Sequence, residues 1–101
     1  MNGVEVVSQA GETQLAFGPV LDVSSARALY HTLNSVLATA TPLALDAGRV
    51  ERIDTAALQL LATFCHRARA DGLRLRWHAA SAAFRDAAAL LGVDDTLGTP
   101  R

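Results

Sequence analysis

The sequence predicts an α/β fold, a single domain in which a mixed β-sheet of about four strands is covered by helices mainly on one face. Two observations predict it. Strand-like and helical segments follow one another in the order β-β-α-β-α-β-α. In residues 73–78, leucine and tryptophan alternate with arginine and histidine, so this strand is suited to bury only one face. A doubly wound parallel sheet needs central strands that are apolar on both faces, and the sequence does not supply them.

Two short strands open the chain and are predicted to form a hairpin. Residues 4–7 and 14–17 are β-like in composition. The turn-prone segment 8–13, which contains Gly11, separates them. We therefore expect these two strands to be antiparallel neighbours.

The first helix is predicted over residues 23–38, where apolar side chains recur at helical spacing and form one stripe. Asp22 or Ser24 is the expected N-cap, since the side-chain oxygen of either residue can accept a hydrogen bond from a free amide of the first turn. The stripe consists of Ala26, Leu29, Tyr30, Leu33 and Leu37.

The middle of the chain is predicted to contain a short strand, a loop and a second helix. Residues 43–46 form the strand, and residues 47–53 form the loop that follows it. Residues 55–70 have the clearest helical pattern. This helix is expected to end at Asp71-Gly72, because glycine suits the left-handed position after the last helical turn.

The last strand is predicted over residues 73–77, with alternate side chains on opposite faces. The side chains expected to face the core are Leu73, Leu75 and Trp77, and those expected to face outward are Arg74, Arg76 and His78. Ser81 is the expected cap of a third helix that ends at Gly92. Residues 93–97 form a final short turn.

The composition restricts both fold and function. Of the 101 residues, 50% are hydrophobic and 19% are charged, which indicates one globular domain spanning residues 1–101 and not a disordered tail. The net charge is −1 and all nine basic residues are arginine, so no uniform positive field favours binding to nucleic acid or to a membrane surface. We expect no nucleic-acid partner.

The sequence also predicts a cytoplasmic location. Its single cysteine, Cys65, cannot form an intramolecular disulfide, which fits a reducing compartment. The amino terminus lacks the basic and apolar regions of a signal peptide, and the longest apolar run, residues 87–91, is too short to cross a bilayer. We therefore expect no direct insertion into a membrane.

No catalytic residue, cofactor site or metal site is predicted. The phosphate-binding patterns GxGxxG and GxxxxGK[ST] are absent, and the three histidines lie on different predicted elements without metal-ligand spacing. Adjacent Cys65 and His66 point about 100° apart on a helix, so we expect Cys65 in the core and His66 on the surface. Four arginines near one helix-to-strand turn are expected to be solvated; they are Arg67, Arg69, Arg74 and Arg76.

The remaining candidate lies at the start of the second helix, in Asp54-Thr55. Considered as structure alone, Thr55 is predicted to be the N-cap, and Asp54 to share that role beside the positive end of the helix dipole. Considered as a functional site, an accessible hydroxyl at a helix N-terminus is a candidate phosphoacceptor. Phosphate there would add about −1.5 to −2 charges, which the free amides and the dipole tolerate.

Several segments carry a resemblance to a known family. Residues 53–58, Ile-Asp-Thr-Ala-Ala-Leu, are similar to the motifs Asp-Ser-Ser-Gly-Leu and Asp-Thr-Gly-Gly-Leu. Residues 18–22 resemble a Gly-Glu-Leu-Asp segment with one extra residue, and residues 83–92 resemble a helix that ends in Leu-x-Gly-Leu. These are features of the STAS domain, the sulfate transporter and anti-sigma factor antagonist family. The resemblance spans nearly the whole chain.

The resemblance implies a protein-binding module and not an enzyme. Thr55 stands where antagonist proteins carry the serine or threonine that a partner kinase phosphorylates, and Asp22 and Asp54 flank the same surface. Ala57 stands where glycine is usual, and Ala56 replaces a small polar residue, which stiffens the entry to the helix. The residues expected to form the contact surface are Asp22, Ser24, Arg52, Asp54, Thr55, Gln59 and Thr63.

Two classes of partner fit this resemblance. One is a serine/threonine kinase, an anti-sigma factor or a chemotaxis-type signalling protein, with Thr55 as the phosphorylation switch. The other is the ATPase of a phospholipid-transport ABC transporter, because the chain resembles the small STAS subunit of such transporters in length, in residues 54–58 and in its Pro100-Arg101 end. The sequence leaves the choice between them, and the oligomeric state, open.

Overall fold

The computed structural model describes residues 3–99, without the side chains of Val23 and Ser25. The Pro100-Arg101 end, which entered the resemblance to a transporter subunit, lies outside the described residues. In chain order the elements are β1 (Val4–Gln9), β2 (Glu12–Phe17), β3 (Val20–Leu21), α1 (Val23–Thr39), β4 (Leu43–Ala47), β5 (Arg52–Ile53), α2 (Thr55–Ala70), β6 (Leu75–Ala80), α3 (Ala82–Leu91) and α4 (Asp94–Leu97).

The main sheet has four strands in the order β1-β2-β4-β6. Strands β1 and β2 form the predicted antiparallel hairpin, while β2 pairs with β4, and β4 with β6, in parallel. The predicted mixed α/β sheet is confirmed. A second sheet of two short parallel strands, β3 and β5, was not predicted, because residues 47–53 were assigned to a loop.

A row of apolar side chains crosses one face of the main sheet, and polar side chains lie on the other face. Leu15, Leu45 and Trp77 are register partners on three adjacent strands, and Leu15 and Leu45 are fully buried. On the same strands, Gln14 and Arg76 point to the other face and are exposed. The alternation predicted for the last strand is therefore confirmed.

Two details of the predicted elements are wrong. Tyr30 was assigned to the apolar stripe of the first helix, but its side chain is 51% exposed beside the groove between α1 and α2, and Val36 is buried instead. The last strand begins at Leu75 and not at residue 73. The Leu73 amide donates a hydrogen bond to the Ala68 carbonyl, so this residue completes the C-terminal turn of α2.

The C-terminal part of the chain is fastened to the body of the domain by side chains that donate to backbone carbonyls. The Arg69 guanidinium donates to the carbonyls of Thr96 and Leu97, and the Trp77 indole N–H donates to the Leu97 carbonyl at 2.8 Å. Leu97 itself is fully buried. Across the described part of the chain, no helix combines the length and apolar character that a membrane crossing requires.

Two alanines adopt a left-handed backbone conformation that favours glycine, which leads to a prediction. Ala40, after the end of α1, has φ 54°, and Ala10 in the β1–β2 turn has φ 53°. Changing Ala40 to glycine should raise the free energy of unfolding by about 0.5–1 kcal/mol, because glycine adopts this conformation without steric conflict. Urea denaturation measures the change.

The matched control is Ala38, two residues earlier in the last turn of α1. Ala38→Gly should lower the free energy of unfolding by about 0.5–1 kcal/mol, because a helical alanine is replaced by the more flexible residue. A destabilising effect of Ala40→Gly equal to that of Ala38→Gly would contradict the prediction.

Candidate functional site

The small β3–β5 sheet holds the N-terminal ends of α1 and α2 side by side. Val20 pairs with Arg52 and Leu21 with Ile53, and each strand leads directly into its helix. The Asp54 amide donates to the Leu21 carbonyl at 3.0 Å. The Pro19 carbonyl accepts from the amides of residues 51 and 52, at 2.8 and 3.0 Å. Two loops that are distant in sequence thus form one hydrogen-bonded unit.

This unit places two aspartates at equivalent positions. Asp22 and Asp54 directly follow Leu21 and Ile53, which are partners in the parallel register, and directly precede α1 and α2. The Ser24 hydroxyl donates to the Asp22 carboxylate at 2.5 Å. Two carboxylates therefore lie at the positive ends of two adjacent helix dipoles, where negative charge is favoured.

The N-cap of α2 is Asp54 and not Thr55, which corrects the sequence-based prediction. Asp54 has an extended backbone (φ −91°, ψ 170°), and its carboxylate accepts from the Ala57 amide at 3.0 Å. Thr55 is the first helical residue, and its side chain is exposed. A cap side chain reaches the amide three residues ahead from outside the helix, so the residue with the extended backbone takes this role.

This assignment predicts opposite sensitivities at neighbouring positions. Asp54→Ala should lower the free energy of unfolding by about 1 kcal/mol, because the Ala57 amide loses its partner. Thr55→Ala should change it by less than about 0.5 kcal/mol, because an exposed side chain is replaced by a better helix former. Thermal and urea denaturation of both variants measure the difference. A larger loss for Thr55→Ala than for Asp54→Ala would restore Thr55 as the cap.

The structure brings most of the predicted contact residues to one end of the domain. Ser24 and Arg52 are exposed beside the two aspartates. Gln59 and Thr63 are also exposed, but they follow Thr55 at intervals of four residues along α2. Thr63 therefore lies roughly 12 Å further along the helix axis, where it lines the groove between α1 and α2. We call the seven predicted residues the docking face.

Val20 lies beside the docking face, next to Arg52, and the sequence did not indicate it. Its side chain is 41% exposed, and its register partner is Arg52. The exposure of Val20 could not be predicted because a strand of two residues shows no alternation of polar and apolar side chains. Its pairing with residues 52–53 depends on the tertiary fold.

The other candidate clusters have structural roles. Three of the four arginines near the α2–β6 turn are engaged: Arg67 with Asp71, Arg69 with backbone carbonyls, and Arg76 with Glu12. Cys65 is buried and His66 is exposed, as predicted. Within residues 3–99 no group of three or more His, Cys, Asp or Glu side chains is arranged to hold a metal ion.

Comparison with known families identifies the fold. A sequence model of the family described as "Mlab, STAS domain" matches residues 4–99. The chain belongs to the STAS domain family. The resemblance carried by residues 18–22 and 53–58 is thereby confirmed. In this STAS domain, the segment similar to the family motif is the one that contains the α2 cap and Thr55.

Solved structures show the same STAS fold. An anti-sigma factor antagonist from Mycobacterium paratuberculosis is 24% identical, with 97% of this chain and 85% of that chain covered and a TM-score of 0.76. The anti-sigma factor antagonist SpoIIAA in its unphosphorylated form is 10% identical, with 91% and 83% covered and a TM-score of 0.73.

A third solved structure belongs to a longer protein. Mglu is 26% identical over 76% of this chain with a TM-score of 0.67, and this chain spans only 20% of Mglu. A search of curated proteins gave no match. The family match and the two antagonist structures agree on the STAS fold of this chain.

Proposed function

We propose that this STAS domain is a regulatory module of the anti-sigma factor antagonist type, which binds a protein partner through the docking face. The partner is a serine/threonine kinase, an anti-sigma factor or a chemotaxis-type signalling protein, and Thr55 is the phosphorylation switch. The module acts in the cytoplasm and needs no cofactor.

The observation that carries this proposal is the position of the Thr55 side chain. It is exposed at the first residue of α2, and its hydroxyl has no hydrogen-bond partner among residues 3–99. A kinase therefore reaches this hydroxyl without unfolding any part of the domain. Because the cap of α2 is provided by Asp54, modification of Thr55 leaves the Ala57 hydrogen bond in place.

Phosphorylation would change the charge of the docking face more than its shape. The unmodified face has two carboxylates and one guanidinium close together, those of Asp22, Asp54 and Arg52. A phosphate on Thr55 would add about −1.5 to −2 charges beside both carboxylates. A partner that binds the near-neutral face would then meet a strongly negative one, so the complex should dissociate while the fold persists.

Co-purification with substituted Thr55 tests the proposal. Thr55→Val removes the hydroxyl but keeps the size of the side chain, and it should retain the partner. Thr55→Glu adds negative charge and should lose it. Ser35→Glu, which adds the same charge at an exposed position near the other end of α1, is the matched control and should retain the partner. Equal recovery with Thr55→Glu and Ser35→Glu would reject the switch.

Phosphorylation itself is measured separately. Incubation with lysate of the source cells and ATP, followed by mass spectrometry, should find phosphate on Thr55 and none on the Thr55→Val protein. Absence of phosphate on Thr55 under every growth condition would count against the signalling function.

A second candidate function is an accessory subunit bound constitutively to the ATPase of a phospholipid-transport ABC transporter. The first turn of α2 favours it. Ala57 is buried and its amide already donates to Asp54, so a phosphate on Thr55 gains no bond from that amide. Affinity purification should then recover an ABC ATPase with the wild type. A complex that is insensitive to charge at Thr55 would distinguish this function from the signalling one.

A further inference from the structure

The outer edge of strand β1 has backbone groups that are directed away from the sheet. The Gly18 amide donates to the Gly3 carbonyl at 2.8 Å, and the Thr13 amide donates away from β1 to the Pro42 carbonyl at 2.9 Å. In the β1–β2 register, these two bonds show that the odd-numbered residues of β1 form their backbone hydrogen bonds with β2. The N–H and C=O groups of Val6 and Ser8 therefore point outward, and they have no partner among residues 3–99.

The two edges of the main sheet are protected differently. Strand β6 has Arg76 and His78 and a register irregularity opposite Leu45 and Asp46, features that disfavour the addition of another strand. Strand β1 has neither proline nor lysine, and Glu5 is its only charged residue. Val6 and Val7 in its centre are each 42% exposed. An edge of this kind is suited to pair with another strand.

We propose that two copies of this chain associate through antiparallel pairing of their β1 strands around a two-fold axis at Val6. The two main sheets of four strands then form one continuous sheet. The geometry favours a second copy because the strand is self-complementary in this register. Each Val6 exchanges both backbone bonds with the partner's Val6, and Glu5 lies opposite the partner's Val7, so no like charges face each other directly.

This interface is distinct from the docking face, since none of the seven docking residues lies on β1. Strand pairing alone buries less surface than a stable obligate dimer, so we expect a concentration-dependent equilibrium with a dissociation constant on the order of micromolar or weaker. Because the two surfaces are separate, a failure of the dimer proposal leaves the proposed function unaffected. A failure of the proposed function likewise leaves the dimer proposal unaffected.

The first test is sedimentation equilibrium of the full chain over micromolar to millimolar concentration. The wild type should approach twice its monomer mass of 10.6 kDa. Val6→Pro removes the outward N–H and no bond to β2, so the fold, checked by circular dichroism, should persist. By symmetry two intermolecular bonds are lost, so the dissociation constant of the dimer should rise roughly 30-fold. Val6→Thr keeps the N–H and the branched shape, and it should dimerise like the wild type.

The second test is crosslinking through introduced cysteines, which does not depend on the folding of the proline variant. Paired residues at the axis have Cα atoms about 5.5 Å apart, within the range of a disulfide. Val6→Cys should therefore form a disulfide-linked dimer under mild oxidation. Val7→Cys should not, because residue 7 faces Glu5 of the other copy and not residue 7. The native Cys65 is buried and gives no background.

Any of four results would overturn the inference. The first three are a wild type that stays monomeric up to millimolar concentration, dimerisation that is unaffected in the folded Val6→Pro protein, and crosslinking of Val7→Cys as efficient as that of Val6→Cys. Addition of a foreign peptide strand to β1 without any self-association would also overturn it.

Discussion

Replacing Leu45 with alanine should lower the free energy of unfolding by about 3–5 kcal/mol, the largest effect that we expect of a single substitution. Leu45 is fully buried at the centre of the sheet, where its register partners are Leu15 on β2 and Trp77 on β6. Shortening it removes buried apolar surface and leaves a cavity in the core at the covered face of the sheet, which the closely packed neighbours do not fill. For a domain of this size the loss is a large part of the total stability.

Leu90 provides the matched control. It is also a leucine, but its side chain is 92% exposed on α3. Leu90→Ala should change the free energy of unfolding by less than about 0.5 kcal/mol. Urea denaturation of both variants, with equal slopes, measures the contrast. Similar losses for the two variants would show that the central row of the sheet does not form the core.

The second large effect concerns the thiol of Cys65. Burial raises the pKa of this thiol from 9.0 to about 12, and the nearby Arg69 opposes the shift only in part. The thiolate is the reactive form, so a disulfide reagent should modify the native protein at least about a thousandfold more slowly than the unfolded one. Thr63→Cys in a Cys65→Ala background places a thiol on the exposed face of α2, and it should react at the rate of a free thiol.

The same burial predicts a dependence of stability on alkaline pH. The pKa of Cys65 is higher in the folded than in the unfolded state, so its contribution is fully present below pH 9 and is lost as the pH rises toward 12. Between these values the free energy of unfolding should fall by about 1.4 kcal/mol per pH unit from this residue alone. The difference between wild type and Cys65→Ala isolates it, because all other titrating groups are shared. Parallel pH profiles of the two proteins would contradict the burial of the thiol.

The regular elements could be predicted because each has a local signal. The alternation of residues 73–78 determined which face of the last strand is buried, and Ser81 and Gly92 marked the ends of α3 as the structure has them. These signals arise from dihedral preferences and from the periodicity of strands and helices, which a short segment contains in full.

The candidate site was predictable only in part. Asp54 and Thr55 both have side-chain oxygens, and the sequence does not distinguish which of them is the last extended residue before the helix. The β3–β5 pairing was missed because two residues of strand have no periodicity and acquire their partners only through the tertiary fold. Tyr30 fitted the apolar stripe by spacing, yet it lies at the margin that the neighbouring helix does not cover.

The bonds between Pro19, Leu21 and residues 51–54 have a consequence for divergence and engineering. The loop before α1 and the loop before α2 are hydrogen-bonded to each other. Neither loop contains a residue of the apolar row formed by Leu15, Leu45 and Trp77. Under the proposed function, we therefore expect partner specificity to be exchanged between members of the family only when residues 18–24 and 49–56 are replaced together. A graft of either segment alone would pair loops from two different proteins, so the hydrogen bonds between them need not form. Such a graft should lose both partner binding and local order.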